Sequence, residues 1–182
     1  MPEIEIRPAN EEEIPGLVEL EHSYKSQYVW QMDRSQDGGQ IIVNFREIRL
    51  PRPITVEYPR PPRHLLRDWT NSSALLVGVL EGSLAGYISV SEGISPTTAW
   101  VTDLVVTPSA RRKGIGSALV LAAEDWAKKR NNRRMILEMQ SKNTPAIRLA
   151  LKIGFEFCGY NDHYYSNQDI ALFFAQFLRS SI

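Results

Sequence analysis

The sequence contains little cysteine and little histidine. Cys158 is its single cysteine, and the three histidines (His22, His64 and His163) stand far apart along the chain. One cysteine excludes an internal disulfide and favours a reducing compartment. Scattered histidines do not have the ligand spacing of a metal site, so we expect no metal cofactor.

The chain also lacks net charge and any long apolar run. Its Lys and Arg residues number 21, as do its Asp and Glu residues, so no global charge attracts nucleic acid or an anionic membrane. No apolar stretch approaches the ~20 residues that span a bilayer. Residues 1–8 lack the basic and apolar regions of a secretory signal. We therefore expect a cytoplasmic protein, monomeric or homodimeric, that binds neither nucleic acid nor membranes.

The composition is that of an ordinary globular protein. Hydrophobic residues make up 43% and charged residues 23% of the 182 positions. A chain of this length can bury a full apolar core without disulfides or metals. We therefore expect residues 1–182 to form a single domain.

The N-terminal part predicts a strand, a helix, a second strand and a proline-rich stretch. Glu3–Arg7 alternates polar and apolar residues, and Asn10 suits the N-cap of a helix that continues into the mid-20s. Ile41–Leu50 resembles a strand, whereas five of the 11 prolines lie within residues 51–62 and exclude a central strand or helix interior. The proline-rich stretch is either a rigid surface loop or one wall of a pocket, because four aromatic residues occur between positions 27 and 69: Tyr28, Trp30, Tyr58 and Trp69.

Three strands joined by short turns are predicted next. Ala74–Leu80 and Leu84–Val90 flank a Glu-Gly-Ser turn, which is a strong hairpin signal. Ala99–Val106 is a further strand that ends before Pro108. These strands indicate an antiparallel meander. Gly86, inside the second strand, indicates a bulge or a close approach of two backbones.

The C-terminal part predicts a parallel strand pair with flanking helices. An amphipathic helix that begins near Gly116 leads to the apolar strand Arg133–Met139, and a helix between two strands implies a right-handed parallel crossover. Asn143 caps a short helix that runs through Lys152, and Gly154 stops it. The last segments, Phe155–Tyr165 and Ile170–Arg179, complete a mixed α/β sheet, and we predict the second of them as a strand.

The turn between the meander and the amphipathic helix has the features of an anion site. Residues 111–117 combine three cations, two glycines and the free N–H groups of a helix start. Neither of two common nucleotide motifs fits. Lys113 precedes Gly114 instead of following the second glycine of a P-loop. Leu119 occupies the third glycine position of a dinucleotide fold. The turn is therefore predicted to bind a pyrophosphate of another ligand.

The hexapeptide Arg111–Gly116 matches the Arg/Gln-x-x-Gly-x-Gly/Ala pattern of the GNAT superfamily of N-acetyltransferases, which this chain resembles over about residues 75–165. The resemblance implies that acetyl-coenzyme A lies between two parallel strands that splay apart, here Ala99–Val106 and Arg133–Met139. It assigns the pantetheine arm to the backbone of one strand, the pyrophosphate to the glycine-containing turn, and a further contact to an asparagine. The implied cofactor residues are Leu104, Val105, Val106, Arg111, Arg112, Lys113, Gly114, Ile115, Gly116, Ser117 and Asn143.

The resemblance also implies direct transfer of the acetyl group to a primary amine. Such an amine is mostly protonated at pH 7, so a base must take its proton. Glu138 and Asp103 are the candidates, although either carboxylate could serve structure or substrate binding instead. Strand alternation places residue 103 on the same face as residue 105 and opposite residue 104. Cys158 is not expected to form an acetyl-enzyme, because direct transfer needs no covalent intermediate.

One position departs from the pattern of the family. Many relatives carry a tyrosine seven residues after the asparagine, as the acid that protonates the departing thiolate, and this chain has Ala150 there. Tyr160, Tyr164 or Tyr165 is predicted to replace it, with Tyr164 and Tyr165 favoured, unless these tyrosines only pack or water protonates the thiolate. The same departure raises an alternative function, a non-catalytic sensor of acyl-coenzyme A.

The acceptor amine is indicated by a weaker resemblance to streptothricin acetyltransferases in the C-terminal half. This resemblance involves Leu137–Gln140, Asn143, Gly154-Phe155 and the tail from Tyr165 to Arg179. It implies a small cationic acceptor similar to a streptothricin antibiotic. Acetylation of a protein N-terminus or lysine is the alternative for an enzyme of this superfamily.

Overall fold

A seven-stranded sheet organises the molecule, and the computed structural model describes residues 3–179. The predicted domain also includes residues 1–2 and 180–182, which lie outside the described residues. The strands are β1 (Ile4–Pro8), β2 (Tyr24–Asp37), β3 (Gln40–Val56), β4 (Ala74–Leu80), β5 (Ser83–Ser91), β6 (Thr98–Val106), β7 (Arg134–Gln140), β8 (Glu156–Asn161) and β9 (Ala171–Phe177). The α-helices are α1 (Ile14–Val18), α2 (Leu65–Asp68), α3 (Ile115–Lys129) and α4 (Thr144–Lys152).

The order of the strands confirms the predicted fold class. The sheet runs β1-β4-β5-β6-β7-β9-β8, and β6 and β7 form its parallel pair. The other neighbours are antiparallel, including the predicted meander β4-β5-β6. The last segment is a strand, as predicted, and it lies between β7 and β8. The segment Phe155–Tyr165, for which no element type was predicted, contains β8 up to Asn161 and then a loop that carries Tyr164 and Tyr165.

Apolar side chains cover both faces of the sheet. Leu76, Val101 and Leu137 face α3 and α4 in the larger cluster. Leu75 and Val105 face α1 in the smaller cluster. Neighbouring residues of one strand point to opposite faces, so the two clusters separate the side that holds α3 and α4 from the side that holds α1.

The N-terminal helix is much shorter than predicted. A 3-10 turn (Glu11–Glu13) leads into the single turn of α1, and β2 has already begun at Tyr24. Ile14 and Leu17 are the buried residues of α1, and they pack on β4 and β5. Beyond them, the ring of His22 is hydrogen-bonded to the hydroxyl of Tyr87, and the chain then enters β2. Tertiary contacts thus outweigh the helical spacing of the sequence.

The proline-rich stretch is also different from the prediction. It begins inside β3, which continues through Pro51 and Pro53 to pair with β2 in a two-stranded hairpin. The register jumps from the Tyr28–Arg49 pair to the Ser26–Ile54 pair, so both prolines lie in an irregular part of the ladder. Prolines are tolerated there because the missing N–H groups are not needed for pairing. β2 itself was not predicted.

Gly86 lies where two backbones approach closely, as predicted. A Cβ on this residue would be 2.3 Å from the carbonyl oxygen of Val105. The pairing of β4 with β5 also shifts beside it, between Gly78 and Val79. Any other residue at position 86 would push β5 away from β6. Within residues 3–179, no helix is both long enough and apolar enough to cross a membrane.

Candidate active site

The two parallel strands separate partway along their length and open a cleft. β6 pairs with β7 only from Thr98–Arg134 to Val101–Leu137. Beyond Val101 the edge of β6 that faces β7 has no partner strand in the described chain. The cleft between the strands is lined by Tyr58, Pro59, Arg60, Val101, Thr102, Leu104, Leu137, Glu138, Met139, Gln140, Asn143, Ala146 and Tyr165. This is the splay that the sequence predicted, although its contacts with a ligand stay a prediction.

The turn before α3 offers unpaired backbone N–H groups to an anion. Arg112 has φ +65° and Gly114 has φ +89°, so left-handed residues alternate along the turn. α3 then begins at Ile115 with no side-chain cap and no acidic residue in its first turn. The first N–H groups of a helix have no intrahelical partner, and the helix dipole adds positive potential. The local backbone therefore fits a pyrophosphate.

Arg111 does not present its guanidinium to this anion position. Its Nε donates to the Val106 carbonyl at 2.8 Å, and its Nη2 donates to the Ser23 carbonyl at 2.6 Å. The side chain thus holds the turn against the end of β6 and the start of β2. Burial lowers the pKa of Arg111, with partial compensation from Glu21. A role of Arg111 in cofactor binding stays a prediction, now through its backbone.

Two other predicted cofactor residues have structural contacts of their own. A Cβ on Gly116 would be 3.1 Å from Cδ2 of Leu149. The packing of α4 therefore favours glycine at this position, independently of any ligand. Asn143 caps α4, because its Oδ1 accepts from the N–H of Ala146 at 3.1 Å. Both residues still lie beside the cleft or its anion-binding turn.

Glu138 is buried, and both of its carboxylate oxygens accept hydrogen bonds. Its side chain is 1% exposed. Oε1 accepts from Nη2 of Arg60, and Oε2 accepts from Nε1 of Trp100 at 2.8 Å and from the hydroxyl of Tyr164 at 3.0 Å. Three donors thus occupy the two oxygens and leave Glu138 little capacity for a further hydrogen-bond donor.

Asp103 is the more open of the two carboxylates. Its Oδ1 accepts from the hydroxyl of Tyr58 at 2.7 Å and lies 3.6 Å from Nη1 of Arg60. Its Oδ2 has no hydrogen-bond partner among residues 3–179. The side chain is 17% exposed. Asp103 can therefore accept a hydrogen bond or a proton from a molecule in the cleft.

A β-bulge brings the side chains around these carboxylates together. Ser89 pairs with Asp103 and Val90 pairs with Val101, so Thr102 is an extra residue of β6. The bulge lets Trp100 and Asp103 share one face, although simple alternation would separate them. Asp103 and Val105 lie opposite Leu104, as alternation predicted. Bulges commonly re-aim side chains beside active sites.

The two tyrosines differ in their contacts. The Tyr164 hydroxyl is bonded to Glu138, and burial together with this carboxylate raises the pKa of Tyr164 to about 12. Tyr165 lines the cleft beneath the guanidinium of Arg60, whose Cζ lies 5.2 Å from the ring centroid. Burial, followed by Glu138, raises the pKa of Tyr165. Both phenols are protonated at neutral pH and can donate a proton.

Three contributions to this site were not predicted from the sequence: the side chain of Arg60, the side chain of Trp100 and the hydrogen-bond donor of Tyr58. The pocket-wall interpretation of the proline-rich stretch is confirmed for Tyr58 and its two neighbours. It is wrong for Tyr28, which lies under Arg148, and for Trp69, which packs in the smaller core cluster. The feature of the sequence that could have indicated Arg60 is its position between Pro59 and Pro61.

Known proteins share this architecture. The acetyltransferase (GNAT) family profile matches residues 42–155. Streptothricin acetyltransferase of Streptomyces lavendulae is 30% identical over 164 residues, which is 87% of this chain and 83% of that protein. The structure of nourseothricin acetyltransferase matches with a TM-score of 0.83 and 25% identity, over 97% of this chain and 99% of the other. A Bacillus anthracis protein classed as a streptothricin acetyltransferase, solved with acetyl coenzyme A, matches with a TM-score of 0.74 and 18% identity, over 96% and 99%.

The chain therefore belongs to the GNAT family of acetyltransferases, as its glycine-containing turn predicted. It is an N-acetyltransferase whose acetyl donor is acetyl-coenzyme A. The described residues contain no group of three or more His, Cys, Asp and Glu side chains that could hold a metal ion.

Proposed function

We propose that this enzyme acetylates a primary amine of a small cationic molecule of the streptothricin type. The observation that carries the proposal is the pair of carboxylates, Asp103 and Glu138, at the point where β6 and β7 separate. Carboxylates in a cleft favour a cationic ligand. The extended similarity to streptothricin acetyltransferase supports the same class of acceptor.

Acetyl-coenzyme A would be held by two parts of the chain. The backbone of Leu104–Val106 would bind the pantetheine arm along the free edge of β6, and the N–H groups of residues 112–117 would bind the pyrophosphate. The side-chain amide of Asn143 borders the same cleft. The bound cofactor supplies an acetyl thioester, which an uncharged amine attacks.

Asp103 is the better candidate for the base that takes the amine proton. Its Oδ2 faces no donor of the described chain, whereas both oxygens of Glu138 are occupied. A base must lie within hydrogen-bond reach of the proton that it removes. Glu138 would then act as a positioning residue that orients Arg60, Trp100 and Tyr164.

Tyr165 is the better candidate for the acid that protonates the thiolate. It borders the cleft beside Leu104 and Met139, whereas the Tyr164 hydroxyl is committed to Glu138. Ala150, at the position where many relatives have tyrosine, is fully buried in the larger core cluster. A hydroxyl from the loop before β9 would therefore take over the role that this position lacks.

The test is an acetyl-transfer assay that measures release of free thiol from acetyl-coenzyme A. The acceptors are a streptothricin, an aminoglycoside, a peptide with a free N-terminus and a lysine peptide blocked at its N-terminus. We expect the streptothricin to have the highest kcat/KM. A higher value for either peptide would refute the small-molecule acceptor. Cofactor binding in calorimetry without acetylation of any amine would favour the sensor alternative.

A further inference from the structure

Arg60 connects the N-terminal segment to the splay through three different acceptors. Its Nη1 donates to the carbonyl oxygen of Thr102 at 2.8 Å and lies 3.6 Å from Oδ1 of Asp103. Its Nη2 donates to Glu138. The three acceptors belong to the unpaired part of β6 and to the neighbouring position of β7. One backbone carbonyl and two carboxylates are thus aimed at a single cation.

The Thr102 carbonyl and the two carboxylate oxygens of Asp103 match the three N–H donors of a primary ammonium group. We propose that Thr102 and Asp103 form the subsite for the acceptor's cationic nitrogen, and that Nη1 of Arg60 fills this subsite until an acceptor displaces it, while Nη2 stays on Glu138. This inference rests on the proposed function, because it identifies how the acceptor of that reaction is recognised.

The contacts of Arg60 show why Nη1 is the exchangeable part. Its distance to Asp103 is longer than a hydrogen bond, and Asp103 keeps the hydroxyl of Tyr58 when the guanidinium moves. Glu138 likewise keeps Trp100 and Tyr164. The Thr102 carbonyl has no other side-chain donor in the described chain, so its next donor must come from a ligand or from water.

The charges of the two carboxylates and Arg60 support the same inference. Two carboxylates and one guanidinium leave one uncompensated negative charge in the cleft. An arriving ammonium on Asp103, with Arg60 retained on Glu138, would neutralise both carboxylates. The Arg60 side chain is 34% exposed, against 1% for Glu138, so Nη1 can turn toward solvent while Nη2 stays on the buried carboxylate.

The experiment uses methylguanidinium as the probe of the vacated subsite. In Arg60→Ala we expect methylguanidinium to inhibit acetyl transfer competitively with the amine, at a concentration about tenfold lower than in the wild type. We also expect the KM for the cationic amine to fall. Arg67→Ala is the matched control, because this arginine is exposed and pairs with the adjacent Asp68. Inhibition of equal strength in wild type and Arg60→Ala would overturn the inference, as would a rise in KM, which is the result of a purely structural Arg60.

Calorimetry separates this inference from the proposed function. Methylguanidinium should bind Arg60→Ala and not Arg60→Ala/Asp103→Asn, whether or not any amine is acetylated. Binding of acetyl-coenzyme A to both variants verifies that they are folded, and Arg60→Gln replaces Arg60→Ala if the latter does not fold. Wild-type acetylation of amines without methylguanidinium binding to the variant would leave the function intact and reject the subsite.

Discussion

The proposed donor and acceptor halves of the cleft are built in different ways. The proposed donor half consists of backbone N–H groups of one continuous turn, residues 111–117, and of the helix that follows it. The proposed acceptor half consists of side chains from distant parts of the chain, such as Arg60, Asp103 and Glu138. A backbone site tolerates changes of side chain, whereas a side-chain site depends on each residue. The halves should therefore respond differently to mutation.

The largest effect is expected from the acceptor half. Asp103→Asn should lower kcat/KM by about 100-fold or more, because the amine loses its base and its counter-charge. The affinity for acetyl-coenzyme A should be unchanged. Steady-state kinetics and calorimetry measure the two quantities.

Two further variants are the controls for that expectation. Asp125→Asn, on the exposed side of α3, changes the same charge away from the cleft and should have no effect. Glu138→Gln should reduce thermal stability because it leaves Arg60 without its buried partner. If Glu138→Gln lowers kcat/KM more than Asp103→Asn does and removes the acidic limb of the pH profile, Glu138 is the base.

In the donor half, a change of charge alone should weaken the binding of acetyl-coenzyme A. Ser117→Glu places a carboxylate in the first turn of α3, which favours the helix but repels a pyrophosphate. We expect the Kd for acetyl-coenzyme A to rise about tenfold with no loss of Tm. Ser117→Gln provides a neutral residue of the same length and should bind nearly as well as the wild type. Equal affinities of the two variants would show that the pyrophosphate lies elsewhere.

A smaller effect, on kcat, is expected from Tyr165, which lies at the boundary between the two halves. Tyr165→Phe should lower kcat about fivefold while the KM for the amine changes little, because the thiolate loses its acid. The raised pKa of this phenol keeps it protonated, so the wild-type rate should not decline on the alkaline side until above pH 10. Tyr164→Phe is the matched comparison, and an equal or greater loss of kcat there would reverse the assignment.

The smallest effect concerns stability on the acceptor side. His22 is buried between Tyr58 and Tyr87, and desolvation lowers its pKa below 6.5. The folded state therefore disfavours the protonated ring. Stability should be full above the unfolded-state pKa near 6.5 and should decrease as the pH falls below it. Tm measured from pH 7.5 to pH 5 should fall less in His22→Gln than in the wild type or in the exposed-residue control His64→Gln.

The same division explains what the sequence could predict. Local patterns were sufficient for the meander, the crossover and the glycine-containing turn before α3, because strand alternation, helix caps and a glycine motif are short-range signals. The resemblance to the family also placed Asp103 and Glu138 near the splay. The contact of Arg60 with both carboxylates joins residues about 40 and 80 positions apart. No local pattern encodes such a contact.

The errors in the N-terminal part have physical causes of the same kind. The helix beginning at Asn10 was expected to be long because apolar spacing continues, yet only Ile14 and Leu17 become buried on it. β3 passes through prolines because its two-stranded sheet has an irregular ladder there. In both cases tertiary packing and strand register, and not the intrinsic propensity, decide the local conformation.

The bulge at Thr102 makes the active site sensitive to residue number as well as residue type. Side chains alternate along a strand, so removal of one residue inverts every position on one side of the removal. Loss of the Thr102 codon is the exception: it would restore a regular β5–β6 ladder, and Trp100 and Asp103, then two positions apart, would stay on one face. Such an in-frame deletion would remove the backbone carbonyl that accepts from Arg60 and keep the strand pairing, an outcome that a single amino-acid exchange does not produce.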